Sequence, residues 1–299
     1  MNVVWLKRDA RLTDHEPLSL AARSDLPLLL LAVYEPCHLT SDTYHEAHHG
    51  FINEGLAEMD ASVRLRSGGD GITFRIGPIV EVLSSLHAVV PIHTVFSHAE
   101  VGNGVSLHRN GQVAEWLHSQ GIKWVECRQD GVSTVRHQEL DEGSWAKKWS
   151  ALMSQQQQVP PARLSLVSSE VIEAGLLQDA QSCGVRHLGD RPGRQRGGES
   201  IAQDLLRTFL NERGEAYSDE LSSPLTGWDS CSRLSPYLAW GQISLRTVFQ
   251  ALTRRQEELR DAKKRGEGTG RWLKSMAALG SRLRWRSHFS VRSRLGWER

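Results

Sequence analysis

Cysteine is scarce in this chain and poorly placed for pairing. Four occur in 299 residues, at positions 37, 127, 183 and 231, so no zinc ribbon, no Cys-x-x-Cys redox pair and no disulfide framework is readable. That usage fits a reducing compartment, and the cytoplasm is the expected location. Long apolar runs are missing too: none approaches the ~18 residues of a bilayer crossing, which excludes an integral membrane protein and leaves no membrane partner. The start, Met1 to Asp9, passes directly into a strand-like run and then charge. It lacks the apolar core and small-residue cleavage site of a secretory signal, so export is not expected. Phosphate-binding glycine loops are also lacking. The turn after the first apolar run reads Lys7-Arg8-Asp9-Ala10-Arg11-Leu12, and the clusters Gly68-Gly69-Asp70-Gly71 and Gly102-Asn103-Gly104 have neither Walker nor dinucleotide spacing. This argues against a P-loop NTPase or a nicotinamide dehydrogenase.

What is present is enough apolar residue, 39%, for a sizeable core in two domains or one large one. Short apolar or β-branched runs at Val3 to Leu6, Leu28 to Val33, Ile72 to Ile76, Ile92 to Phe96 and Ile122 to Glu126 predict five strands. Between them Phe51, Leu56, Met59 and Val63, then Ile79, Val82 and Leu86, then Val113, Trp116 and Leu117 recur at helical spacing. The alternation predicts an α/β doubly wound parallel sheet. Ser154 to Pro161 is Gln- and Pro-rich and Gly184 to Gly198 is Gly- and Arg-rich, patterns that resist regular structure. Beyond them Glu199 to Arg213, Leu245 to Arg260 and Trp272 to Phe289 are helical in spacing, with no strand run between. The expected organisation is therefore an α/β domain over 1–153, a connector over 154–197, a helical part over 198–289 and a distinct tail over 290–299.

The net charge of +1 conceals a basic end: residues 251–299 carry +9 and the rest −8. A polyanion is one reading of such a stretch and a solvated helix face the other. Trp272, Trp285 and Trp297 lie within it, and aromatic faces beside cations can stack on exposed bases. His45-Glu46-Ala47-His48-His49 fits the metalloprotease pattern literally. No third ligand follows at a suitable distance, Gly50 comes at once, and ordinary helix-surface histidines are expected, with no metal site. Ser232-Arg233-Leu234-Ser235-Pro236-Tyr237-Leu238 groups hydroxyls and an arginine where a helix begins. It reads either as a phosphate site or as a plain N-cap.

These segments carry a resemblance. Val4-Trp5-Leu6-Lys7-Arg8-Asp9-Ala10-Arg11-Leu12-Thr13-Asp14-His15-Glu16-Pro17-Leu18 is similar to the opening of the photolyase and cryptochrome flavoproteins. In the same order follow Ser97 to Asn103, Gln129 to Val132, Trp145 to Trp149, Gly197-Gly198-Glu199, Ser222 to Thr226, Cys231 to Gly241 and Ser281 to Phe289. The resemblance is strongest to bacterial deoxyribodipyrimidine photolyases. It implies an α/β domain followed by the first part of an all-α FAD-binding domain, and blue-light-driven, FAD-dependent repair of cyclobutane pyrimidine dimers in UV-damaged DNA. By position it makes Tyr217, Cys231, Ser232, Arg233, Leu234, Ser235 and Arg286 the groups around FAD, and Trp285 the wall of the cavity for a flipped-out dimer. No catalytic side chain of the protein's own is implied. Glu100 and Gly102 fall in the region that contacts an antenna chromophore in some relatives, whose identity is not readable here. Cys231 stands where the family has a Thr-type residue, and Arg282 where many relatives carry Glu. The resemblance stops at Phe289, so the family's later helices are expected to be missing and the chain to be truncated and inactive alone. The alternatives are a cryptochrome-like photosensor or DNA-binding protein without repair, and a free-standing α/β nucleotide-binding or scaffold domain. A monomer is the default.

Overall fold

The computed structural model describes residues 1–100, 103–129, 142–186, 189 and 191–297. The chain forms two compact units. The first comprises Met1–Cys127, Gln158–Glu199 and Trp240–Gln242, and the second Arg128–Gln157, Ser200–Ala239 and Ile243–Arg299.

In the first unit the five apolar runs become β1 (Asn2–Leu6), β2 (Leu28–Tyr34), β3 (Thr73–Ile76), β4 (Thr94–His98) and β5 (Lys123–Cys127). All pair in parallel, in the order β3-β2-β1-β4-β5. The expected fold class is the observed one, with strand ends moved by one or two residues. Among the described residues five helices flank the sheet: α1 (Glu16–Ala21), α2 (Pro36–Leu39), α3 (Glu46–Ser67), α4 (Ile79–Val89) and α5 (Gly104–Ser119). Successive strand residues face opposite sides, which divides the core in two. Val4, Leu6, Leu30 and Ala32 pack with Leu18, Leu56, Met59 and Val63; Val3, Trp5, Leu29 and Leu31 pack with Ile79, Leu83, Val113 and Leu117. Because both faces are covered, Leu28–Tyr34 can be apolar almost throughout. Strand order reverses on either side of β1, and the crevice at the carboxyl ends of such strands is where ligands of this sheet type lie.

From Gln158 onward, the stretch expected as a connector belongs to this unit. Leu28 and Val167 are joined backbone to backbone at 2.9 Å and Phe74 to Ala174 at 2.7 Å, while Leu164 and Ile172 are buried in the two core layers. The turn at Gly241 also belongs here: its φ is 64°, and a Cβ there would lie 1.8 Å from the Arg8 carbonyl oxygen. A left-handed backbone at such close approach requires glycine.

The second unit contains α6 (Glu142–Met153), α7 (Glu199–Thr208, whose first residue falls in the first unit), a π-helical turn (Phe209–Arg213), α8 (Tyr217–Glu220), α9 (Gly227–Ser230), α10 (Ser235–Ala239), α11 (Leu245–Lys264) and α12 (Trp272–Trp297). The sequence division put α6 with the α/β part. It lies here because Trp149 packs edge-on against Phe249 at 5.0 Å and donates from Nε1 to Ser287 Oγ at 2.9 Å. Leu252, Met276, Leu279 and Leu283 complete the buried surface. The expected break at residue 290 is not a break in the helix: with no proline to stop it, α12 runs on to Trp297. Among the described residues no helix is long and apolar enough to cross a membrane.

Candidate functional site

Two groupings of functional side chains stand out, one in each unit. In the α/β unit, strands of a doubly wound sheet end on charge. Lys7 follows β1, Glu35 follows β2 and Glu100 follows β4, and Arg109 reaches them from α5. The Arg109 guanidinium donates to Glu35 Oε1 at 2.5 Å and to Glu100 Oε2, and it lies 4.7 Å from the centre of the Trp5 ring. Arg8 lies 3.3 Å from the other Glu100 oxygen. The two carboxyls respond differently. Burial raises the pKa of Glu35 despite Arg109, whereas Glu100, equally buried, is held low because Arg109, Lys7 and Arg8 together outweigh the same penalty. Lys7 is buried beside Trp5 at 4.7 Å and Glu126 at 3.7 Å, and burial lowers its pKa. A cavity of about 720 Å³ adjoins this cluster, lined by Glu35, Cys37, Ile79, Arg109, Gln112 and Trp116 among others. Glu100 is thus part of a buried ion cluster; Gly102, expected beside it, lies outside the described residues.

Behind these groups Asp9 is fully buried between two histidines, with Oδ2 at 2.7 Å from His98 Nδ1 and 3.4 Å from His15 Nε2. Its other oxygen accepts the Lys7 N–H at 2.8 Å. The set has the composition of a metal site, but its proton arrangement forbids one. His15 Nδ1 accepts the Leu18 N–H at 3.1 Å, so its proton sits on Nε2 and that nitrogen has no lone pair to give a metal. Burial alone would raise the Asp9 carboxyl, yet the two imidazoles outweigh it and hold it well below the usual range. Burial pushes His98 down to about 3. Both shifts act in one direction. The unfolded chain takes up the His98 proton near pH 6.5 and the folded one only near 3. Stability is therefore complete above that window and falls as pH drops through it, by up to about 1.4 kcal/mol per pH unit; Asp9 adds a loss below its own unfolded value. Urea unfolding between pH 7 and 4 should show this slope, and His98→Asn should reduce it, leaving the part that the other lowered histidines contribute. An equal slope in both proteins would refute the assignment.

The His45–His49 motif is corrected by the structure. His45 is the N-cap of α3, its Nδ1 accepting the Ala47 N–H at 3.0 Å. His49 is not a surface residue but buried: the amphipathic turn of α3 points it inward, with one ring nitrogen at 2.9 Å from Tyr44 Oη and the other at 2.7 Å from the Gln178 carbonyl. Both nitrogens are engaged, which leaves neither for zinc.

In the helical unit, the expected flavin residues are placed as follows. Cys231, Ser232, Arg233 and Leu234 form the loop between α9 and α10, and Ser235 opens α10. Arg213 pins this loop, donating to the Cys231 carbonyl and, at 2.9 Å, to the Ser232 carbonyl. Arg233 takes a left-handed φ of 61° and lays its guanidinium 3.4 Å from the centre of the Trp228 ring. Leu234 is buried and Ser235 exposed. Tyr217 is buried against Phe209 at 5.3 Å, and burial raises its hydroxyl, with Arg282 acting against that rise. Burial likewise raises the Cys231 thiol, opposed by Arg213 and Arg233. Arg286 donates to the Leu238 carbonyl at 2.9 Å. Trp285 is 52% exposed, with the Arg282 guanidinium 4.9 Å from its ring centre. Arginines, hydroxyls and turned backbone N–H groups are a donor set suited to an anionic, phosphate-bearing ligand.

Sequence reasoning missed Lys7, Glu35, Arg109 and the Asp9 triad as a group. One signal was available: Arg109 sits midway between Val105 and Val113 on the apolar stripe of α5, where a charge is buried only if paired.

Compared with known proteins, residues 2–158 match the family model described as DNA photolyase. Cryptochrome-2 of Arabidopsis thaliana is 24% identical over 269 residues, covering 85% of this chain and 43% of that protein. A Synechocystis sp. PCC6803 cryptochrome structure superposes with a TM-score of 0.74 at 18% identity, over 99% of this chain and 61% of that one. A photolyase from Sulfolobus tokodaii, described with two FAD molecules, superposes with a TM-score of 0.64 at 18% identity, over 87% and 58%. The chain spans about half the length of the curated relatives it matches.

Proposed function

The chain belongs to the DNA photolyase family, and from that premise we propose that it is a flavoprotein directed to blue-light-driven repair of cyclobutane pyrimidine dimers in UV-damaged DNA. The observation that carries this reading is the loop 231–235 pinned by Arg213, with Arg233 in a left-handed turn and Arg286 on the neighbouring α12. In this reading Ser232, Arg233, Ser235 and Arg286 hold the FAD phosphates, Cys231 and Leu234 shape the loop, and Tyr217 closes its buried side. When bound, FAD supplies the light absorption and the electron for opening the dimer. The protein's part is to hold that group by its phosphates and to offer the flat, half-exposed face of Trp285 to an unstacked base. A second reading, a photosensor without repair, is favoured by Arg282, whose guanidinium lies 4.9 Å from the centre of the Trp285 ring and would compete with a base for it.

The test is the visible spectrum of the protein after incubation with FAD and gel filtration. Flavin bands are expected to co-elute, and Arg233→Ala should weaken retention about 10-fold or more, the worth of one charge-assisted contact. A colourless protein would remove the proposal. Flavin retention with no loss of dimers from an illuminated oligonucleotide would select the photosensor.

A further inference from the structure

The turn from β2 into α2 reads Glu35-Pro36-Cys37-His38. One donor atom from each of Glu35, Cys37 and His38 lies within 4.8 Å of the others. Two of these side chains hold buried polar atoms that make no hydrogen bond, Glu35 Oε2 and His38 Nε2, and the Glu35 side chain is 5% exposed. A buried polar atom without a partner is destabilising, so two of them on one turn, converging with a thiol, need a shared explanation.

We propose that a carboxylate oxygen of Glu35, the Cys37 sulfur and a ring nitrogen of His38 bind one zinc ion, with the fourth position facing the adjoining cavity. Sulfur, imidazole and carboxylate together are a borderline-soft set that suits zinc better than calcium or magnesium. Three protein ligands leave one position open, and Glu35 and Cys37 themselves line the cavity of about 720 Å³. Zinc with bonds of about 2.0–2.3 Å draws its donors closer than 4.8 Å, a movement open to Cys37 because it is exposed. Arg109 holds Glu35 by Oε1, which orients Oε2 and makes Glu35 a one-oxygen ligand. His38 Nε2 is a ring nitrogen that makes no hydrogen bond, so it is the one offered to the ion. The Cys37 thiol is protonated before binding, and each zinc bound displaces that one proton to solvent; the thiolate then carries one negative charge to the ion, and the Glu35 carboxylate is shared between the ion and Arg109. No oxidant or reductant takes part. The Asp9 triad, similar in composition, fails on the tautomer of His15. The site replaces the expectation of no metal, and it does not depend on the flavin reading.

Cobalt is the probe. The full chain, stripped with a chelator and kept reduced, is titrated with Co²⁺ and then with Zn²⁺, in the dark and without flavin. The expected result is one Co²⁺ per chain, a thiolate-to-cobalt charge-transfer band, and its loss on one equivalent of Zn²⁺. Cys37→Ser should abolish the band, and His38→Ala should weaken binding at least about 10-fold. Absence of the band in the unaltered protein, or its survival in Cys37→Ser, would overturn the site, the latter by assigning the thiolate to another cysteine. Should a variant misfold, alkylation of the unaltered protein decides instead: Zn²⁺ must slow modification of Cys37, and an unchanged rate refutes the proposal.

Discussion

Arg109→Met is expected to destabilise the α/β unit by about 3–5 kcal/mol at neutral pH, because it leaves two buried carboxylates facing each other without their shared cation. Methionine keeps most of the side-chain volume and its contact with Trp5, so lost packing does not account for the effect. The sign with pH is diagnostic. Glu100 is held low chiefly by Arg109; without it only Arg8 and Lys7 face the two carboxyls, acid neutralises one of them, and the deficit should shrink as pH falls from 7 towards 5. Glu100→Gln in the Arg109→Met background should recover part of the loss. Urea unfolding at several pH values measures all three, and a deficit under about 1 kcal/mol at pH 7 would mean that solvent reaches this cluster.

Trp149→Ala should be comparably severe in the helical unit. Trp149 is 1% exposed, and truncating a buried aromatic costs about 3–5 kcal/mol through lost burial and the cavity left behind. It ties α6 to α11 and α12 through Phe249 and Ser287, so α6 should become the first segment cut by protease. Trp149→Phe keeps most of the packing and loses the indole donor, for which about 1 kcal/mol is expected. Because the chain has two units, a single two-state transition is not assumed. The readout is the helical unit's own transition, followed by hydrogen exchange in α11 and α12. Exchange rates equal to those of the unaltered protein would contradict this role.

Much of the architecture was legible from residue order. Leu28–Tyr34 is a run too apolar to be half-exposed, and Val3–Leu6, Ile92–Phe96 and Ile122–Glu126 repeat the pattern at βαβ intervals, so parallel pairing followed without coordinates. The loop 231–235 was likewise visible as hydroxyls and an arginine at a helix start. What pins it was not: Arg213 lies 18 residues from Cys231, and nothing local marks it. The His45–His49 spacing pointed to a surface, but a helix buries whichever face its neighbours cover, and Tyr44 and Gln178 cover His49.

By itself, then, the sequence determined the five strands, their parallel pairing and the family, because these rest on periodicity and on ordered motifs that are local to the chain. Tertiary structure alone decided which charges meet. Glu35, Glu100 and Arg109 come from three separate stretches, and only the pairing of β2 and β4 on either side of β1 brings both carboxylates within hydrogen-bonding distance of Arg109. The same holds for protons. Whether His15 can ligate a metal depends on one backbone N–H at Leu18, and whether Glu35 and His38 can depends on what their buried atoms fail to reach. Spacing does not encode either, since both follow from burial and direction in three dimensions.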